Sequence, residues 1–239
     1  MKRAISEKND FMVSYLIEFR FQSRKIKSYL KEMIYEINHK FKVGKRRPVP
    51  HITLVGPIET NNELRLICDF ARICSQTKLL SFQGEGFGTF DNNRVIFVKI
   101  IPNDNFNLLR VKLSKTLKEY CKLPSHNKKE EKEGFGYHST LAMKLSIDEF
   151  NLIKNYILKK QAPNFSQIVT RVTLLKNGKI LREYDFFQKR LLNRRQALDK
   201  NLTRRTLELL REFKHSKKNI IKPKKEPLLK RIISIFIPK

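Results

Sequence analysis

The sequence predicts an α+β protein built from two similar halves and followed by a basic helical tail. Three observations support this class. The order strand–helix–strand–helix–strand occurs twice before residue 190, the second strand of each copy begins with His-x-Thr-Leu, and the density of positive charge rises after residue 190. We therefore expect one domain over residues 1–190, with two lobes related by a pseudo-twofold axis, and a basic helical, partly flexible tail over residues 191–239.

The first half begins with an alternating, β-rich segment over residues 12–20, which predicts a strand. Residues 23–41 carry apolar groups at helical spacing and predict a helix. Residues 44–50 (GKRRPVP) cannot continue that helix, because each proline lacks an N–H donor and restricts the residue before it. The half is completed by a strand over 51–57, a helix over 61–77 and a strand over 80–90.

The second half repeats this order. Ser146 and Glu149 resemble a capping box at the start of its second helix, and Asn177–Gly178 is a strong signal for a two-residue hairpin turn. The predicted elements are a strand over 94–101, a helix over 106–120, a strand over 137–145, a helix over 146–160 and a hairpin over 168–176 and 180–187.

Composition restricts the class of protein and indicates a polyanionic partner. The chain has 239 residues, 40% of them apolar, and 51 Lys+Arg against 23 Asp+Glu, for a formal charge of +28. Nucleic acid is the commonest partner of so basic a protein. Three cysteines without a CxxC offer neither a disulfide partner nor a cysteine zinc site. No secretory signal and no spanning segment are visible, so we expect a cytoplasmic monomer.

The two His-x-Thr-Leu motifs are the most informative residues. Side chains alternate along a strand, so His51 shares a face with Thr53, and His138 shares one with Thr140, while the intervening residues face the core. Two such strands side by side would place two imidazoles and two hydroxyls in one cleft. The hydroxyls can hold a phosphate, while one imidazole accepts a proton and the other donates one, with no metal or cofactor required.

The paired motifs resemble those of the 2H phosphoesterase superfamily, in particular its 2′-5′ RNA ligase/RNA 2′,3′-cyclic phosphodiesterase branch, over about residues 10–190. The resemblance implies a bilobal fold whose antiparallel sheets line a central cleft, with the helices outside. It also implies hydrolysis of terminal 2′,3′-cyclic phosphates on RNA, such as tRNA fragments, to 2′-phosphates. His51 would be the general acid, His138 the general base, and Thr53 and Thr140 would bind phosphate oxygens. A reversible 2′-5′ RNA ligase activity would join a 5′-hydroxyl to the cyclic phosphate.

The chain departs from the family pattern at two points. Ser139 occupies the middle of the second motif, where an apolar residue is more usual. Members often carry an arginine shortly after this motif, whereas Met143 and Lys144 follow it here. The corresponding phosphate contact would then pass to Lys144 or to the basic residues at 45–47.

Further candidates have a structural alternative beside the functional one. Lys45, Arg46 and Arg47 precede the first motif and would meet the RNA backbone, or form a solvated charge run. Phe135 and Tyr137 would stack on an exposed base, or pack in the core. The three cysteines fall on apolar helix faces and are expected in the core.

Other functions remain open at this point. A non-catalytic RNA-binding protein would suit the charge equally well, and related activities, such as a 3′ exonuclease on RNA ends or a small-nucleotide cyclic-phosphate hydrolase, use the same four residues.

In the tail, residues 198–215 predict a helix capped by Asp199 or Asn201. Residues 228–237 predict an amphipathic helix too short to span a bilayer. We expect it to dock on this chain or a partner protein, in preference to an anionic membrane surface.

Overall fold

The computed structural model of the protein describes residues 13–43, 48–123 and 135–221. Within these ranges the chain forms nine strands and six helices. The strands are β1 (Ser14–Arg20), β2 (His51–Glu59), β3 (Ser81–Phe90), β4 (Val95–Pro102), β5 (His138–Ala142), β6 (Asn164–Ile168), β7 (Arg171–Lys176), β8 (Lys179–Asp185) and β9 (Arg190–Asn193). The helices are α1 (Arg24–Phe41), α2 (Glu63–Ser75), α3 (Asp104–Leu117), α4 (Ile147–Leu158), α5 (Arg194–Leu198) and α6 (Lys200–Ile221).

The strands form two antiparallel sheets, which confirms the predicted α+β class. One sheet has the order β2-β1-β7-β8-β9, and the other has the order β5-β4-β3-β6. The units β1-α1-β2 and β4-α3-β5 occupy equivalent positions, and in each sheet the strand that carries His-x-Thr-Leu lies at the edge. This equivalence is the pseudo-twofold relationship that the repeated motif predicts.

The two sheets do not coincide with the two sequence halves. β3 pairs with β4 of the second half, and β7 pairs with β1 of the first. The pairing of β3 with β4 has a local cause. A short turn joins the two strands, and strands connected in this way pair as a hairpin. Each sheet therefore contains strands from both halves.

Side-chain alternation and helix caps explain most of the elements. In β1, Ile17 and Phe19 are fully buried, while Arg20 at the end of the strand is partly exposed. The first four helices each begin after a Ser or Asn whose side chain accepts a backbone N–H of the first turn: Ser23, Asn62, Asn103 and Ser146. Ser146 and Glu149 form the predicted capping box.

The predicted hairpin around Asn177–Gly178 is confirmed, but its first strand is shorter than expected. Both turn residues have positive φ, at 48° and 74°, which a two-residue type I′ turn requires. The strand predicted over 168–176 is divided, because Ile168 ends β6 in one sheet and Arg171 begins β7 in the other. The chain thus crosses between sheets at residues 169 and 170.

The residues after 190 continue the fold rather than leaving it. β9 forms the edge of the five-stranded sheet by pairing with β8. Asp199 caps α6 by accepting the N–H of Leu202 at 2.8 Å. Arg171, which is 2% exposed, donates to the hydroxyl of Thr206 on α6 at 2.7 Å and forms an ion pair with Asp185 at 2.7 Å. The boundary expected near residue 190 therefore falls within the sheet, and α6 shares a buried polar cluster with it.

Three further expectations concern the cysteines, membrane-spanning segments and the end of the chain. Cys74 is buried, as expected, whereas Cys68 is exposed on α2, so its predicted place in the core is wrong. None of the helices in the described ranges is both long and apolar enough to cross a membrane. The amphipathic segment predicted over 228–237 lies outside the described residues.

Candidate active site

The two His-x-Thr strands lie side by side. β2 and β5 are edge strands of different sheets, and they contact each other. Ile52 and Leu54 of the first motif and Leu141 of the second are fully buried, so the histidines and threonines face the opposite side of each strand. We call this side the site face. The fold thus brings together the four residues that the motifs singled out.

Each motif histidine makes the same kind of hydrogen bond, from its ring to a backbone carbonyl two residues earlier. Nδ1 of His51 lies 2.7 Å from the carbonyl oxygen of Val49, and Nδ1 of His138 lies 2.8 Å from that of Gly136. A carbonyl oxygen only accepts, so Nδ1 carries the hydrogen in both rings. Nε2 is then the nitrogen that exchanges protons, and the two rings present equivalent atoms for acid–base chemistry.

The two threonines face different neighbours across their sheets. Thr53 lies directly opposite Glu18 on β1, and Thr140 lies directly opposite Phe97 on β4. Residues directly opposite in an antiparallel pair share one face of the sheet. The pseudo-twofold relationship is therefore broken at the site, with a carboxylate on one side and an aromatic ring on the other.

A buried carboxylate lies beside His51. Glu18 is 4% exposed, and its Oε2 lies 3.9 Å from Nε2 of His51, an ion-pair distance when the ring is protonated. Its Oε1 accepts a hydrogen bond from Nε of Arg20 at 2.6 Å. The His-x-Thr-Leu motifs do not predict Glu18; the available signal in the sequence is a pair of charged residues, Glu18 and Arg20, at alternate positions of an otherwise apolar strand.

His138 lies among aromatic rings instead. The ring centroids of Phe90 and Phe97 are 4.9 and 5.1 Å from that of His138. Gly88 makes this packing feasible, because a Cβ there would fall 2.4 Å from Cε2 of Phe97. Burial lowers the pKa of His138, the charge of His51 lowers it further, and the hydrogen bond to Gly136 acts in the opposite direction. His138 is consequently the neutral imidazole at neutral pH.

The structure does not bring the secondary candidates into the site in the same way. Tyr137 is 6% exposed and packs against Phe106, so it belongs to the core rather than to a base-stacking surface. Phe135 is half-buried, with the guanidinium of Arg110 3.7 Å above its ring. Lys144 lies two residues beyond the end of β5, whereas His138 begins that strand. Lys45, Arg46 and Arg47 lie outside the described residues.

The other described histidines lie outside the site. His39 is exposed on α1, where it stacks on Tyr35, and His215 is exposed on α6. His126 lies outside the described residues. Within the described ranges, no three or more His, Cys, Asp or Glu side chains are grouped to hold a metal ion.

Comparison with known proteins identifies the family and the fold of the chain. The family model of the 2′-5′ RNA ligase superfamily matches residues 25–180. Protein TT0787 of Thermus thermophilus is 18% identical, with a TM-score of 0.52 over 72% of this chain and 97% of that chain. LigT of E. coli, solved with 3′-AMP, is 17% identical, with a TM-score of 0.40 over 76% of this chain and 92% of that chain. No curated protein sequence matches the chain. The similarity to TT0787 shows a shared fold.

Proposed function

The chain belongs to the 2′-5′ RNA ligase superfamily of phosphoesterases, and from this premise we propose that it is a metal-independent RNA 2′,3′-cyclic phosphodiesterase. The observation that carries the proposal is the matched pair of histidines on adjacent strands, each held through Nδ1–H and each leaving Nε2 for proton transfer. The formal charge of +28 supports RNA as the substrate. The product is a 2′-phosphate.

The proposed reaction needs one proton acceptor and one proton donor. His138 takes a proton from water, and the oxygen of that water attacks phosphorus. The bond between phosphorus and O3′ breaks, and His51 donates its proton to the departing O3′. Thr53 and Thr140 donate hydrogen bonds to the non-bridging oxygens. Water is added across the P–O3′ bond, leaving a 2′-phosphate and a free 3′-hydroxyl.

The different surroundings of the two rings support this assignment of roles. A general base must be neutral before it acts, and burial among Phe90 and Phe97 lowers the pKa of His138. His51 has a different neighbour, because Oε2 of the buried Glu18 lies 3.9 Å from its Nε2. If a 5′-hydroxyl takes the place of water, His138 accepts the proton of that hydroxyl, its oxygen attacks phosphorus, the P–O3′ bond breaks and His51 again protonates O3′, which would give a 2′-5′ linkage.

The test uses the full chain in EDTA with an oligoribonucleotide that ends in a 2′,3′-cyclic phosphate. The expected product co-elutes with a synthetic 2′-phosphate standard and is separated from the 3′-phosphate. The same oligonucleotide with a 3′-hydroxyl end should be unchanged, since an exonuclease would shorten it. A nucleoside 2′,3′-cyclic phosphate tests for a small-nucleotide hydrolase. Binding without turnover of any of these would overturn the proposal in favour of an RNA-binding protein.

A further inference from the structure

Each motif histidine has a cation directly opposite it on the neighbouring strand. Arg20 on β1 pairs with His51 on β2, and Lys99 on β4 pairs with His138 on β5. Because β1 and β4 are equivalent strands of the two sheets, the two cations occupy equivalent positions. Nothing in the His-x-Thr-Leu motifs themselves predicts this pair.

Both cations lie on the site face. Directly opposite residues of an antiparallel pair share a face, with Cβ atoms about 5 Å apart. Their sequence neighbours confirm the alternation, because Phe19, Val98 and Ile100 are buried in the core. A cation therefore flanks each histidine on the side where Thr53 and Thr140 lie.

Arg20 is oriented by a buried carboxylate. Its Nε donates to Oε1 of Glu18 at 2.6 Å, and the arginine side chain is 36% exposed against 5% for that of Glu18. Among the described residues, neither terminal nitrogen of Arg20 forms a hydrogen bond or ion pair. The guanidinium is thus anchored at one edge, and its other nitrogens are available to an anion in the geometry that suits phosphate.

Lys99 is exposed and is held by its aliphatic part. Its Cε lies 3.2 Å from the position that a Cβ on Gly88 would occupy, so the stem crosses β3 where a side chain is absent. Within the described part of the chain, its ammonium group has no ion-pair partner. Lys144, which the resemblance offers as a phosphate contact, lies beyond the end of β5.

We propose that Arg20 and Lys99 bind the phosphate group held between His51 and His138, one from each sheet. The inference rests on the proposed function, because it concerns the same reacting group. Attack of water increases the negative charge on the non-bridging oxygens. The threonine hydroxyls proposed to bind these oxygens are neutral. Two cations on opposite sides of the group offset that charge, and the effect grows from the ground state to the transition state.

The experiment measures binding of adenosine 2′-monophosphate, with adenosine as the ligand that lacks the phosphate. Arg20→Gln and Lys99→Gln should each weaken binding of the nucleotide about tenfold and leave binding of adenosine unchanged. Arg72→Gln and Lys112→Gln are the matched controls. Arg72 has a carboxylate partner at 2.6 Å on the outer helix α2, and Lys112 is exposed on α3. Nucleotide affinities within twofold of these controls would overturn the inference.

Kinetics on the cyclic-phosphate oligonucleotide separate this inference from the proposed function. Arg20→Gln and Lys99→Gln should lower kcat/KM about 10- to 100-fold, with the larger part in kcat. Loss of nucleotide binding in these variants without any hydrolysis by the unaltered chain would refute the proposed function alone. Hydrolysis that neither substitution slows would refute the inference alone.

Arg20→Lys guards against a folding effect. Removing Arg20 leaves Glu18 without its hydrogen-bonded partner, whereas lysine keeps the charge and loses only the fork of donors. We expect Arg20→Lys to fold like the unaltered chain, by circular dichroism, and to recover part of the nucleotide affinity. Lys99 is exposed, so its substitution tests the inference without this concern.

Discussion

Nδ1 of His51 and Nδ1 of His138 each donate a hydrogen bond to the carbonyl oxygen two residues earlier, at 2.7 and 2.8 Å. These two equivalent hydrogen bonds orient both rings through the backbone. The orientation therefore does not depend on which side chains surround the rings. Their surroundings then differ, with Glu18 near one and Phe90 and Phe97 near the other. Equivalent rings in unlike environments suit a reaction that needs a base and an acid at once.

Loss of either imidazole should abolish most of the activity. His51→Ala and His138→Ala are each expected to lower kcat on the cyclic-phosphate oligonucleotide by about 100-fold or more, because each removes one proton-transfer group. His39→Ala is the control, since His39 is exposed on α1. Full activity in either motif variant would contradict the mechanism.

The pH profile should report the low pKa of His138. Since the base must be neutral, kcat/KM rises with pH through this pKa, and burial places the midpoint of that limb below the ordinary histidine value of about 6.5. Phe97→Ala exposes the ring to water and should move the limb towards higher pH. A limb that stays in place in this variant would exclude burial by Phe97 as the cause.

Substitution of Glu18 should impair catalysis without unfolding the protein. Glu18→Gln removes the carboxylate 3.9 Å from Nε2 of His51 and replaces the charged partner of Arg20 with a neutral one. We expect kcat to fall about tenfold, measured against Glu32→Gln, which removes an exposed carboxylate from α1. Equal rates in the two variants would show that Glu18 has no part in the reaction.

Replacing Ser139 with alanine should stabilise the folded protein. It is fully buried, and its hydroxyl has no hydrogen-bond partner among the described residues. Ser139→Ala removes an unsatisfied polar group and should raise the free energy of unfolding by about 1 kcal/mol in urea denaturation, with kcat unchanged. A destabilised variant would mean that the hydroxyl has a partner in the folded protein.

Two truncations should behave differently. A chain ending at residue 221 keeps β9 and Thr206, whereas one ending at residue 190 loses both and leaves Arg171 without its hydrogen bond to α6. Each buried hydrogen bond left unmade costs about 1–3 kcal/mol, so the shorter chain should unfold at a lower temperature. Equal melting temperatures of the two truncated chains would show that the domain ends near residue 190 and that the residues after it do not stabilise it.

The truncation at residue 221 also tests the basic end of the chain. Residues 222–239 contain six basic residues and one acidic residue. If they bind RNA, removing them lowers the slope of log affinity against log salt by about 0.7 for each phosphate that they neutralise. An unchanged slope would show that these residues do not touch RNA, while the hydrolysis of a nucleoside cyclic phosphate serves as the control for an intact site.

Most of the elements and the four motif residues followed from the sequence because their signals are local. Strand alternation around His51 and His138, the cap at Ser146 and the turn at Asn177–Gly178 each depend on a few adjacent residues. Those signals were sufficient to predict the fold class and the side of each strand on which the motif residues lie.

Only the tertiary structure decided what lies beside them. The pairing of β1 with β7, the position of Glu18 next to His51 and the contact of Arg171 with Thr206 join residues distant in sequence, and such pairings depend on register and packing across the whole fold. Tyr137 shows the same limit: its sequence suits a core or a binding surface equally, and burial against Phe106 places it in the core. The motif residues were therefore determined locally, and their electrostatic environment was determined by the fold.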